Sequence, residues 1–157
     1  MEIDPTQIDC SQPGIRHYRH TYGLLDDVDA VSLGEGNTSL VWAEAFGRRV
    51  ACKCEFLKNT GSFKDRGSVD IVALMRSRGI REEVEDSSGN AGASLVAYAS
   101  RAGIKAQVFV PQSASCSKRT QIAAYGETLT LVPGTRTDVA EAVKKAADRG
   151  TSYARHA

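Results

Sequence analysis

The period of apolar and polar positions changes several times along the chain, and each change predicts an element. Two stretches, 40–46 and 49–56, are rich in apolar β-forming residues, and Gly47 between them indicates a β-hairpin. Residues 63–78 follow a helical pattern, and Gly79 stands at the position that commonly ends a helix.

From residue 80 the pattern becomes a regular alternation of strands and helices. The predicted strands are 82–86, 106–110, 128–132 and 151–153, and the predicted helices are 90–101, 115–125 and 138–149. Strands that alternate with helices over short connections are typical of parallel βαβ units, so the sequence predicts the α/β class. Residues 1–30 show no such period, and we expect an irregular arm there.

Composition narrows the function classes. The chain has 157 residues, of which 41% are hydrophobic and 25% charged, values typical of a globular protein. A formal net charge of +1 argues against binding to nucleic acid or to an anionic membrane by bulk charge. The acidic first ten residues do not resemble a signal peptide, and no apolar stretch approaches the ~20 residues of a membrane span. We therefore expect a soluble, cytoplasmic protein.

The four cysteines and three histidines do not indicate a metal. They lack the paired spacing of a zinc site, and four cysteines are too few for a disulfide scaffold of this length. The sequence therefore predicts reduced thiols and no metal.

The segment TGSFKDRG, residues 60–67, carries the first candidate chemistry. Ser62 followed by Asp65 matches a capping box, which places Lys64 in the first turn of the helix. The positive end of the helix dipole disfavours an ammonium there, so the neutral, nucleophilic amine is favoured, and an aldehyde cofactor suits that amine. An exposed lysine at an ordinary capped helix is the alternative.

The segment SSGNAG, residues 87–92, carries the second. Its small residues stand where a strand is predicted to pass into a helix, so backbone amides and the helix dipole can hold a carboxylate or phosphate, and Asn90 can add its amide. An ordinary strand-to-helix turn is the alternative. A P-loop, a complete dinucleotide fingerprint and a G-x-S-x-G nucleophile motif are all absent from the sequence.

Three segments in order, LGEGNTSL at 33–40, NTGSFKDRG at 59–67 and SSGNAG, resemble the pyridoxal-phosphate enzymes of the tryptophan-synthase-β type. The resemblance runs from about residue 33 to 156. It implies the tryptophan-synthase-β-like α/β fold and pyridoxal 5′-phosphate as cofactor. It also implies a complete small parallel-sheet domain at 80–150, an incomplete large domain at 1–79, and a return into the large domain at 151–157.

The resemblance also implies roles for individual residues. Lys64 matches the lysine that carries the cofactor and moves protons on the substrate, and Asn90 matches the residue that hydrogen-bonds the cofactor's 3′ oxygen. The remaining matches concern the substrate: its α-carboxylate is held by Ser87, Ser88, Gly89 and Ala91, its cleft is bordered by Thr60 and Ser62, and its phosphate is met by Lys118 and Arg66. Arg155 stands close to the expected phosphate site, where it either strengthens phosphate binding or obstructs it.

The branch of the family that the segments resemble most converts O-phospho-L-homoserine and water into L-threonine and phosphate. The resemblance thus implies a small amino-acid phosphate as substrate, no nucleic acid, no membrane, and a homodimer in the intact protein. Two alternatives stay open. One is a different reaction on the same scaffold, such as a threonine/serine dehydratase or a cysteate-synthase-like replacement, and the other is a truncated, non-catalytic paralogue.

The sequence departs from the family pattern in four places. Lys58-Asn59 stands where the family has Asn-Pro, Ser39 replaces a proline, and Arg155 replaces a Ser or Thr. The family holds the cofactor phosphate in a glycine-rich loop that lies beyond residue 157. We therefore expect a C-terminally truncated chain that is inactive by itself.

Overall fold

A computed structural model describes residues 4–22, 28–87, 89–148 and 150–153 of the chain. The helices are α1 (Arg19–Tyr22), α2 (Val28–Val31), α3 (Asp65–Ser77), α4 (Asn90–Ala102), α5 (Cys116–Ala124) and α6 (Arg136–Ala147). The strands are β1 (Leu40–Ala45), β2 (Arg48–Lys53), β3 (Glu82–Glu85), β4 (Lys105–Pro111), β5 (Thr128–Val132) and β6 (Ser152–Tyr153). No helix within these described ranges is both long enough and apolar enough to cross a membrane.

Four strands form one parallel sheet in the order β5-β4-β3-β6. The register aligns Glu83 with Ala106 between β3 and β4, and Val108 with Leu129 between β4 and β5. The central strands β3 and β4 thus lie between two neighbours each. The α/β class predicted from the alternating pattern is confirmed.

Helices cover both faces of this sheet, and each face has its own core. On one face α4 buries ten of its thirteen residues, among them Leu95 and Val96, against β4. On the other face α6 places Val139 and Val143 against Val84. The helix α6 starts with a capping box in which Thr135 and Asp138 exchange hydrogen bonds, a signal that the sequence analysis did not use.

The parallel sheet and the helices that follow its strands, residues 82–153, are called the sheet unit below. The larger core extends beyond this unit. Val28 and Val31 of α2, and Val69 and Val72 of α3, are buried in the same cluster as Leu95. Side chains from both sides of residue 79 therefore pack together. The predicted division into domains at residues 79 and 150 stays a prediction.

The hairpin of β1 and β2 forms as the sequence predicts, with a two-residue turn at Phe46 and Gly47. Both turn residues have positive φ, +54° and +69°, as a type I′ turn requires. The second strand ends at Lys53 and not at residue 56, because residues 55–57 turn into a short 3-10 helix. The carboxylate of Glu55 on that turn faces α3.

The arm before residue 31 contains more regular structure than the sequence predicts. It has 3-10 turns at Pro5–Gln7 and Gly14–Tyr18 in addition to α1 and α2. Gly14 and Gly36 touch backbone to backbone, since a Cβ on Gly36 would lie 2.3 Å from the Gly14 Cα. Glycine at both positions allows this contact between the arm and the 33–38 turn.

The glycine-rich turn is fastened to the core through a buried acid. Glu35 is 3% exposed, and its carboxylate accepts hydrogen bonds from Ser32 Oγ at 2.9 Å, the Leu33 amide at 3.1 Å and Tyr98 Oη at 2.9 Å. The bond to Tyr98 joins this turn to α4. A buried carboxylate with three donors stabilises one conformation of the turn.

Candidate active site

Lys64 lies at the start of α3, as the residue that caps the helix. Its amide donates a hydrogen bond to Ser62 Oγ at 3.0 Å, so the serine hydroxyl fixes the backbone of the lysine. The Lys64 ammonium lies 5.4 Å from the centre of the Phe63 ring, and the lysine is half-buried. The loop thus presents an amine at the beginning of a helix.

The predicted capping box of Ser62 and Asp65 is wrong. The helix begins at Asp65, two residues later than predicted, and the Asp65 side chain turns into the protein. Its carboxylate accepts from the Thr60 amide at 2.9 Å, from the Thr60 hydroxyl, and from Ser94 Oγ at 2.7 Å. These partners lie inside the protein, and Asp65 is 0% exposed.

Asp65 therefore joins the two segments that the sequence singled out. Thr60 belongs to the loop that leads to Lys64, and Ser94 lies on α4, the helix that starts at Asn90. The sequence analysis assigned Asp65 only a cap. The missed signal is its spacing, because Asp65 lies on the same helix face as the buried Val69 and Val72.

The Ser87–Gly89 loop connects β3 to α4, and Asn90 is the first residue of that helix. A Cβ on Gly92 would lie 2.0 Å from the Ser87 carbonyl oxygen, so glycine is required where the helix passes beneath the loop. A Cβ built on Gly89 meets no heavy atom within 4 Å, which leaves open space at the start of α4. Asn90 is exposed and Ala91 is buried. Ser88 lies outside the described residues.

This loop lies at the carboxyl end of β3, the edge where open α/β sheets bind their ligands. A cavity of about 560 Å³ lies at the opposite edge, lined by residues that include Arg81, Glu82 and Ser152. That cavity contains none of the predicted site residues.

Lys118 on α5 is linked by hydrogen bonds, through one intermediate residue, to the loop at residues 58–64 that leads to Lys64. Its Nζ donates to Gln121 Oε1 at 2.8 Å, and Gln121 Nε2 donates to the Thr60 carbonyl at 3.0 Å. The structure thereby joins Lys118 to Thr60, four residues before Lys64, along one chain of hydrogen bonds. The sequence analysis assigned no role to Gln121.

Arg66 is held away from this chain by an acid. Its guanidinium donates to both carboxylate oxygens of Glu55, at 3.0 and 2.9 Å, and the Thr38 hydroxyl donates to Glu55 at 2.8 Å. The hydrogen bonds from Arg66 are the main cause that lowers the pKa of Glu55 to about 2. The structure thus ties Arg66 to the hairpin side, and its predicted phosphate contact stays a prediction. Arg155 lies outside the described residues.

The departure at Lys58-Asn59 has structural consequences. Asn59 Nδ2 donates to the Leu33 carbonyl at 2.6 Å, which ties the lysine loop to the glycine-rich turn. Lys58 is 6% exposed, and burial, followed by the charge of Arg66, lowers the pKa of its amine. The carboxylates of Glu55 and Asp65 oppose that shift.

Two buried acids on β3 were missed as well. Glu83 and Glu85 are each 1% exposed, and neither carboxylate meets a well-aligned hydrogen-bond partner among the described residues. Burial is the main cause that raises the pKa of each to about 8. For Glu85, the charges of Asp86 and Glu83 add to this shift, and the charge of Lys64 opposes it.

The fold and this arrangement define a class: an α/β protein that presents a lysine amine and a helix amino terminus at one sheet edge. The family described as pyridoxal-phosphate dependent enzyme matches residues 31–156. The chain belongs to this family. The sequence-based identification of the family is confirmed.

Named relatives agree with this assignment. Threonine synthase from Mycobacterium tuberculosis is 36% identical over 153 residues, which cover 94% of this chain and 42% of the relative. Cysteine synthase B from Campylobacter jejuni is 35% identical over 102 residues, 62% of this chain and 34% of the relative. The chain spans about two fifths of the length of the Mycobacterium tuberculosis threonine synthase.

A solved structure confirms the fold. A pyridoxal 5′-phosphate-dependent aspartate racemase superposes with a TM-score of 0.72 at 29% identity, covering 83% of this chain and 44% of the racemase. The tryptophan-synthase-β-like fold predicted from the resemblance is thus confirmed.

The residues present fit pyridoxal 5′-phosphate, which is the cofactor of this family. The fit rests on the half-buried amine of Lys64 and on the open space beside Gly89 at the start of α4. An amine reacts with an aldehyde, and a helix amino terminus favours an anion. Asn90 is the first residue of α4 and is exposed.

Proposed function

We propose that the protein to which this chain belongs is a threonine synthase, which converts O-phospho-L-homoserine and water into L-threonine and phosphate. The observation that carries the proposal is the link through Asp65, which holds the Lys64 loop against the helix that begins at Asn90. The match to threonine synthases over 94% of the chain supports this reaction among those of the family.

In this proposal Lys64 binds the cofactor through Nζ and, once released from it, removes the proton from the substrate Cα and moves protons along the substrate chain. Pyridoxal phosphate supplies an electron sink when it is bound. Asn90 orients the cofactor, and the amides of Ser87–Gly89 with the start of α4 hold the α-carboxylate. Thr60 and Ser62 shape the loop around the amine, since both are buried.

The substrate phosphate carries two negative charges near neutral pH, and of the two predicted cations that the structure describes, Lys118 is the better placed. Its ammonium is held by a neutral amide oxygen, so its charge stays available to an anion. Arg66 is already paired with Glu55. The proposal therefore assigns the phosphate first to Lys118.

The experiment treats the purified protein with pyridoxal phosphate and borohydride, then locates the reduced adduct by peptide mass spectrometry. We expect the adduct on Lys64, and Lys64→Ala loses it. Lys105→Ala is the matched control, because Lys105 is the first residue of β4 and its side chain is 82% exposed. This variant is expected to keep the adduct on Lys64. A reducible adduct that persists in Lys64→Ala contradicts the assignment.

A second function has one observation in its favour. The match to a cysteine synthase B supports a replacement or elimination reaction on the same scaffold. Phosphate and threonine released from O-phospho-L-homoserine support the threonine synthase. Turnover of an O-activated serine or of threonine, without that release, supports the alternative. If the intact protein gives the Lys64 adduct but turns over none of these substrates, it is a binding paralogue.

A further inference from the structure

Gln121 is the side chain through which α5 reaches the Lys64 loop. Its Nε2 donates to the Thr60 carbonyl at 3.0 Å and lies 3.3 Å from Tyr125 Oη, while its Oε1 accepts from Lys118 Nζ at 2.8 Å. Both ends of one amide are therefore engaged, one by the loop and one by a cation.

The loop end of this contact completes the hydrogen bonding of Thr60. The Thr60 amide and hydroxyl donate to Asp65, and the Thr60 carbonyl accepts from Gln121. Thr60 is 5% exposed, so its carbonyl would be costly to leave without a donor. Thr60, four positions before Lys64, is thus held by Gln121 of α5 through its carbonyl and by Asp65 of α3 through its amide and hydroxyl.

The cation end differs from the other candidate phosphate contact. Glu55 neutralises Arg66, whereas the amide oxygen of Gln121 positions the Lys118 ammonium without neutralising it. The ammonium carries three N–H donors, so an anion can bind it while the Gln121 oxygen still accepts from it. An anion bound there shifts the ammonium, and this shift changes the constraint on the amide that also holds Thr60.

We propose that Gln121 is a positioning residue, which couples an anionic group bound at Lys118 to the conformation of the loop that carries Lys64. The inference rests on the proposed function, since that function supplies the anion as a phosphate ester. It adds that an anion bound at Lys118 changes the conformation of the loop that carries Lys64, and that the Gln121 side chain transmits this change. We therefore expect amide hydrogen exchange in the loop that carries Lys64 to depend on whether an anion is bound.

The test measures amide hydrogen exchange over residues 61–66, with and without inorganic phosphate. In the unchanged protein we expect phosphate to alter exchange in this segment. Gln121→Glu keeps the shape and an acceptor for Lys118, but it removes the donor to Thr60 and adds a negative charge that neutralises Lys118. We expect exchange over 61–66 to rise about three- to tenfold, the loss of one hydrogen bond, and the phosphate effect to disappear.

Two further variants make the test specific. Thr120→Ala is the matched control, because among the described residues the neighbouring Thr120 hydroxyl bonds only within its own helix, to the Cys116 carbonyl at 3.0 Å. It is expected to behave as the unchanged protein. Lys118→Met keeps Gln121 in place, so basal exchange stays near that of the unchanged protein while the phosphate effect is lost, and it serves if Gln121→Glu does not fold.

The outcomes separate this inference from the proposed function. Exchange over 61–66 that is the same in Gln121→Glu and Thr120→Ala overturns the inference, as does a phosphate effect that persists in Lys118→Met. If the borohydride adduct forms on Lys64 while these exchange results are negative, the proposed function stands and the coupling fails. If the exchange results are positive without an adduct, the coupling stands and the proposed function fails. In a turnover assay of the intact protein, Gln121→Leu lowers kcat, whereas Lys118→Met raises KM.

Discussion

The hairpin and the parallel sheet unit use similar apolar residues but bury them very differently. In β1 the residues Leu40, Val41 and Trp42 are 53%, 50% and 56% exposed, whereas Val108 and Val110 of β4 are 0% exposed. The difference is the cover. The sheet unit has helices on both faces, whereas the hairpin is held by cross-strand pairs, its type I′ turn and an Arg49–Trp42 contact of 4.6 Å.

This comparison shows that an apolar strand pattern in the sequence does not by itself predict burial, because burial also requires other elements that cover the strand. An isolated two-stranded hairpin is marginally stable, and the four-stranded unit has a core of its own. The hairpin joins the rest of the described structure through the Glu55–Arg66 pair beside the 3-10 turn. Variants that act on one region and spare the other test this difference.

The largest expected effect separates the two regions directly. Leu95→Ala removes a side chain that is 0% exposed in the sheet unit, and we expect it to lower the free energy of unfolding by ~2–5 kcal/mol. Leu40→Ala in the hairpin is expected to lower it by less than ~1 kcal/mol. Denaturant unfolding measures both. Equal losses would show that the hairpin is buried as deeply as α4.

A second effect concerns the contact between α4 and the Ser87–Gly89 loop. Gly92→Ala places a Cβ 2.0 Å from the Ser87 carbonyl oxygen, so loop or helix has to shift. We expect a loss of ~1–3 kcal/mol in thermal or denaturant unfolding. Gly89→Ala is the control, since its Cβ enters open space. A Gly92→Ala protein as stable as this control would refute the close approach.

The buried acids of β3 predict how stability depends on pH. The pKa of Glu83 and of Glu85 is about 8 in the folded protein, against an ordinary 4.5. Between these values the folded state binds more protons than the unfolded state. Stability therefore falls as pH rises from about 4.5 to 8, by up to ~1.4 kcal/mol per pH unit for each carboxyl.

Matched variants on the same strand test this dependence. Glu83→Gln and Glu85→Gln each flatten the fall in unfolding free energy between pH 5 and 8. Glu82→Gln does not, because the Glu82 side chain is 63% exposed. The same slope in all three variants would place the titration elsewhere in the protein.

The smallest expected effect concerns the ion pair between Glu55, on the 3-10 turn that follows the hairpin, and Arg66 of α3. The pKa of Glu55 is lowered to about 2, so its contribution is present above about 4.5 and is lost as pH falls toward 2. Its side chain is 25% exposed, and we expect Glu55→Gln to cost at most ~1 kcal/mol at neutral pH. Exposed Glu141→Gln is the control, and acid unfolding curves that coincide for both variants would contradict the role of the pair.

The sequence predicted much of this molecule because the signals were local. The alternation after residue 80, with glycines after its helices, predicted each strand and helix of the sheet unit to within a few residues. The motifs at 60–67 and 87–92 were placed correctly at two helix starts. Each motif and the helix that it precedes are adjacent in sequence, so the signal is local. The same motifs identified the family.

The sequence alone therefore determined the class, the order of elements, the family and the positions of Lys64 and Asn90. Only the tertiary structure decided that Asp65 turns from its own helix start to Ser94, 29 residues away, and that Gln121 reaches Thr60, 61 residues away. It also decided that Glu55 takes Arg66 and that Glu83 and Glu85 are buried. Local spacing fixes the face on which a side chain lies, whereas its partner depends on which distant element packs against that face.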